Sequence, residues 1–144
     1  MALEELDEIL AVHRTVVFTT YRRDGRPQMS LVTVGKVGDA LAFTTRQRNA
    51  KFHNLMRDPR CAMMLARPDW RGYAVMDGDA EVVGAHNTDA DTLRATLRDV
   101  YRASAGKEHP DWPEYDQAML EQKRVAIVLR PTRMYEQNLG PRTP

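Results

Sequence analysis

The chain has 144 residues, with 21 Lys and Arg against 20 Asp and Glu, a formal net charge of +1. A single domain spanning 1–144 fits that length and needs no disulfide staple, and the lone Cys61 has no partner within the chain. Nearly cancelled charge disfavours nucleic acid or an anionic membrane, and His13, His53, His86 and His109 are too scattered for a protein-ligated metal.

The start, Met1-Ala2-Leu3-Glu4-Glu5-Leu6-Asp7-Glu8, is acidic and lacks the layout of a secretory signal. No apolar run approaches the length of a membrane span, so a soluble, cytoplasmic protein is expected. Leu3, Leu6, Ile9 and Leu10 recur at helical spacing and predict a short amphipathic helix over 2–12. Residues 14–21 and 27–34 are rich in β-branched and aromatic types, and Asp24-Gly25 between them signals a hairpin. Residues 35–39 read as a second turn and 40–45 as a third strand. A helix over 49–57 carries Phe52, Leu55 and Met56 on one side, and Asp58-Pro59 ends it. Strands are expected at 60–66 and 73–84, with a bulge or bend at Gly78. Cys61 lies in the apolar run Cys61-Ala62-Met63-Met64-Leu65, which fits a buried, inert thiol.

From Thr88 the period becomes helical. Thr88 can cap, and Leu93, Leu97, Val100 and Tyr101 share a face. Arg94, Arg98 and Arg102 form a stripe that is either a solvated face or a ligand site. After a loop, Pro113 suits the first turn of a helix running to 122. Residues 125–129 make a buried strand and 133–136 a last one. About seven strands in hairpins, with three or four helices, favour an antiparallel barrel with peripheral helices.

No nucleophile elbow surrounds Ser30, and no dinucleotide fingerprint or Walker loop is present. The segment Phe43-Thr44-Thr45-Arg46-Gln47-Arg48-Asn49-Ala50-Lys51 places hydroxyls and cations where a strand gives way to a helix. It reads by itself as an ordinary polar turn sooner than as a phosphate cradle.

The string Asp24-Gly25-Arg26-Pro27-Gln28-Met29-Ser30 resembles the second-strand signature of the pyridoxamine 5'-phosphate oxidase-like flavoprotein superfamily. Ala50-Lys51 with Asn54 through Arg60, Trp70 through Val75, and His109-Pro110-Asp111-Trp112 continue the likeness, which covers roughly residues 10–138. Together they resemble the branch that uses a reduced deazaflavin, coenzyme F420, as hydride donor. The resemblance implies a mainly β, homodimeric split β-barrel with two equivalent cofactor sites at the subunit interface. It implies an oxidoreductase that passes a hydride from the reduced deazaflavin to a small unsaturated or conjugated substrate. An FMN-dependent oxidoreductase and a non-catalytic cofactor-storage protein are the alternatives. The Arg133-to-Asn138 end lacks the Arg-x-His pattern of true pyridoxamine phosphate oxidases, which disfavours vitamin B6 oxidation.

By the same resemblance, Lys51 contacts the cofactor phosphate and Thr44 and Thr45 line that pocket. Gln28, Met29, Ser30 and Leu31 run beneath the ring, and Trp70 and Tyr73 stand near the cofactor or the partner's wall. Relatives often carry Arg where this chain has Asn49, so Arg48 or Arg46 is expected to supply that charge. Met29, Leu31 and Trp70 read alternatively as interface packing, and Lys51 as a surface lysine. No catalytic residue is assigned; substrate protonation falls to solvent or Tyr73.

Overall fold

Successive side chains of a strand face opposite sides of its sheet. The computed structural model, which describes residues 1–140, follows that alternation where one face is core. Strand β1 (Thr15–Tyr21) turns Val16, Phe18 and Thr20 inward, and β2 (Pro27–Thr33) returns antiparallel beside it. Gly25, at φ +83°, makes the turn between them, as the Asp-Gly signal predicts. β3 (Gly35–Val37) and β4 (Ala40–Arg46) form the next hairpin. β5 (Arg60–Ala66) buries Cys61, Met63 and Leu65, and β6 (Tyr73–Val83) follows it. β7 (Arg124–Leu129) and β8 (Arg133–Gln137) complete a sheet ordered β2-β1-β5-β6-β7-β4-β3, with β8 paired to β6.

The long strand β6 curls this sheet. Tyr73 to Asp77 lies between β5 and β8, whereas Ala80 to Val83 pairs with β7. The changeover falls at Gly78, where a Cβ would lie 3.2 Å from the Arg130 carbonyl oxygen. Only Val34 separates β2 from β3; its N–H donates to the Arg14 carbonyl at 2.8 Å as the chain crosses to the other end of the strand order. Phe18, Phe43, Met63, Met76 and Ile127 fill the curl, with Phe18 and Phe43 edge to face. The result is a curled antiparallel half-barrel with helices.

Helix α3 (Ala90–Ala105) and α4 (Trp112–Glu121) cover the outside of β4 and β7. Leu41, Phe43, Val125, Ile127 and Leu129 therefore face the barrel, while Ala40, Ala42, Ala126 and Val128 face the helices. Burial on both sides explains why these strands are continuous apolar runs. α2 (Ala50–Arg57) seals one end of the barrel with Leu55.

Three expectations need correction. The segment 35–39 is not simply a turn: Gly35–Val37 is a strand paired antiparallel with β4, and a Cβ on Gly35 would sit 2.4 Å from the backbone of Ala103. Glycine there serves the close approach of α3. Residues 2–12 form a 3-10 turn, Leu3–Leu6, leading into one short helix, α1 (Asp7–Leu10), which still buries Leu3, Leu6 and Leu10. The cap of α3 is Asp89, whose carboxylate accepts from the Thr92 N–H, rather than Thr88.

Two arginines of the stripe, Arg98 and Arg102, make structural contacts, whereas Arg94 stays at the exposed surface of α3. Arg98 forms a two-point ion pair with Asp116 of α4, Arg102 pairs with Glu108, and both guanidiniums stack on Trp112. The Tyr115 hydroxyl donates to the Leu97 carbonyl at 2.7 Å, and burial pushes its pKa up to about 12. These contacts fasten α4 to α3.

Candidate functional site

Antiparallel pairing of β4 with β7 sets Arg46 directly opposite Arg124. Lys51, in the first turn of α2, lies close enough to Arg124 that its ammonium is held below the ordinary lysine range, by burial first and by that guanidinium second. Arg124 is itself depressed, by burial and then by Arg46. Its Nε donates to Gln122 Oε1 at 2.9 Å and its Nη1 to the Thr44 carbonyl at 3.4 Å. These acceptors are neutral, and among the described residues no ion pair involves Arg46, Lys51 or Arg124. A half-buried cluster of like charge is unfavourable until an anion neutralises it.

The start of α2 adds to this. Asn49 occupies the cap position, but its Nδ2 donates to Thr45 Oγ1 at 2.8 Å, so no side chain caps the helix. Free N–H groups and the positive end of the helix dipole thus face the same region as the three cations. Arg48 is exposed one residue earlier. Thr44, Thr45, Arg46, Asn49 and Lys51 come together here, with Arg124 as a member that sequence reading did not assign. A phosphate fits this donor set.

The predicted residues of β2 divide by face. Gln28 is half-buried, and its Oε1 accepts from Thr20 Oγ1 at 3.2 Å. Thr20 Oγ1 accepts in turn from Asn54 Nδ2 at 3.1 Å, which ties β1 and β2 to α2. Ser30 Oγ is buried and has no hydrogen-bond partner among the described residues. Met29 and Leu31 face outward and are 62% and 72% exposed.

Trp70 and Tyr73 follow β5, so the whole length of that strand lies between them and α2 along the chain. Trp70 is 79% exposed and takes φ 62°, a left-handed conformation that bulky residues rarely adopt. The Tyr73 hydroxyl donates to Gln137 Oε1 at 3.2 Å. Cys61 is buried and its thiol is pushed up to about 12 by that burial, as its apolar setting predicts. No helix among the described residues is long and apolar enough to cross a membrane.

A family profile described as Pyridoxamine 5'-phosphate oxidase matches residues 2–138. Among solved structures, a conserved hypothetical protein from Mycobacterium tuberculosis superposes with a TM-score of 0.76 at 22% identity, covering 94% of this chain and 84% of its own. A protein described as an F420 reductase gives 0.61 at 25% identity, covering 90% and 94%. An FMN-binding, pyridoxamine 5'-phosphate oxidase-related protein from Nostoc punctiforme gives 0.66 at 16%, covering 94% and 86%. A profile match over nearly the whole chain places it: this protein belongs to the pyridoxamine 5'-phosphate oxidase family.

Proposed function

We propose that the chain is a deazaflavin-dependent oxidoreductase that works as a homodimer. The observation that carries this is the unneutralised cluster of Arg46, Lys51 and Arg124 beside the uncapped start of α2. It matches the ribityl phosphate that FMN and coenzyme F420 share, and the likeness to an F420 reductase favours the deazaflavin. When bound, the cofactor supplies the hydride. The protein's own share is to grip the phosphate through Lys51 and Arg124, to fix the cofactor's orientation from the β4–α2 turn, and to exclude water. A small conjugated or unsaturated acceptor is the expected substrate class.

The outer face of the sheet supports the dimer. Leu31, Val17, Met64, Val75 and Tyr135 stand directly opposite one another across five strands, and among the described residues no helix packs on them. An apolar row of that length, with Leu31 72% and Tyr135 45% exposed, suits an isologous contact between two copies. Docked in this way, the partner's Trp70 loop would supply the wall of the site that one chain leaves open.

Titrating the apoprotein with FMN and with coenzyme F420 side by side tests the reading. Tighter binding of the deazaflavin, and colourless protein from a host lacking it, are expected. Stoichiometric yellow FMN surviving purification would instead make this an FMN enzyme. Tight binding with no oxidation of the reduced cofactor by any unsaturated acceptor would leave a storage protein.

A further inference from the structure

Beyond the Arg98–Asp116 pair, α3 and α4 enclose a cavity of about 560 Å³ at their open ends. Leu93 and Leu97 of α3 and Met119 and Leu120 of α4 make its walls apolar. Leu120 is 68% exposed, an unusual setting for a leucine, and stands where α4 ends. Three cations, Arg94, Lys123 and Arg124, also line the space. The one carboxylate there, Asp116, is already neutralised by Arg98, which also holds its pKa below the usual carboxylate range. Arg94 pairs with Asp91 at the exposed surface of α3, whereas Lys123 and Arg124 form no ion pair among the described residues.

The volume is that of a small-molecule site, since such pockets span about 300–1,000 Å³. Apolar walls with surplus positive charge call for a ligand having an apolar body and one anionic group. We propose that this cavity binds a small organic carboxylate with an aliphatic or aryl body. The site lies behind the β4–α2 turn, because Gln47 and Arg124 belong to its wall. Arg124 therefore stands between it and the cationic cluster around Lys51. Arg124 is shared with that cluster, so the cations that belong to this cavity alone are Arg94 and Lys123.

The probe is 4-phenylbutyrate, compared with 4-phenylbutan-1-ol, followed by methyl NMR of Leu93, Leu97 and Met119 in the full chain. The acid should shift these methyls saturably, and the alcohol should bind about tenfold more weakly, the worth of one charge-assisted hydrogen bond. Arg94→Ala and Lys123→Asn should each weaken the acid several-fold and leave the alcohol unchanged. Asn is chosen because Lys123 sits at φ 49°, which Asn tolerates. Ala90→Trp, at an exposed lining position, should abolish binding at an unchanged melting temperature. Lys51→Ala should bind the probe like the parent, which separates this site from the phosphate cradle. Absence of saturable shifts, equal binding of acid and alcohol, or full binding by both charge variants would overturn the proposal, whatever the folding of Ala90→Trp.

Discussion

Lys51 illustrates how a single side chain gains a role from its surroundings. An exposed helical lysine contributes little to stability, but this one is half-buried beside Arg124 and forms no ion pair among the described residues. A charge-assisted contact to phosphate is worth on the order of 1.5–3 kcal/mol, and each 1.4 kcal/mol is about tenfold in affinity. Lys51→Ala should therefore weaken cofactor binding by roughly 10- to 150-fold without lowering the melting temperature of the apoprotein. Parent-like affinity in a cofactor titration would transfer the phosphate to Arg46 and Arg124. Ser30 makes the opposite case. Its buried hydroxyl has no partner among the described residues, and such a group costs about 1–3 kcal/mol. Ser30→Ala should be at least as stable as the parent in urea denaturation; a clear loss would mean that the hydroxyl is bonded in solution.

Among the elements, the contact between β3 and α3 is the tightest test of the fold. Gly35 lets the helix backbone lie where any other residue would place its Cβ, 2.4 Å from Ala103 and Ser104. Overpacking of this kind costs typically 1–3 kcal/mol, and here the obstacle is backbone that cannot rotate away. Gly35→Ala should lower the unfolding free energy by about 2–3 kcal/mol, read from denaturant midpoints at constant slope. A variant as stable as the parent would show that α3 does not seat on β3. The same contact explains why this strand escaped sequence reading. A glycine between two strands looks like a turn former, and nothing local reveals a helix arriving from nearly seventy residues further along.

For the whole molecule, the sheet is unequally covered: α3 and α4 shield β4 and β7, whereas no helix among the described residues packs on the apolar row from Leu31 to Tyr135. Leu31→Lys puts a charge at the edge of that row, in the manner by which natural edge strands discourage pairing. Sedimentation should show the parent at twice the chain mass and the variant at the chain mass, with its circular dichroism unchanged. A parent that sediments as a single chain at micromolar concentration would remove the homodimer, and with it the second wall of the cofactor site.

The amino-acid sequence by itself determined every strand except Gly35–Val37, because period-two burial is written locally: the expected strands at 60–66 and 73–84 are found at 60–66 and 73–83. It also determined the Asp24-Gly25 hairpin, the buried thiol of Cys61 and the cation-rich turn after β4. Tertiary structure alone decided which charges meet. Arg124 reads as the last polar residue before a strand, and it becomes part of a cationic cluster only because β7 pairs with β4, bringing it against Thr44 from 80 residues away. Local pattern specifies which face of a strand is apolar, but strand partners are chosen by burial of the assembled sheet, and electrostatic neighbours follow from that choice.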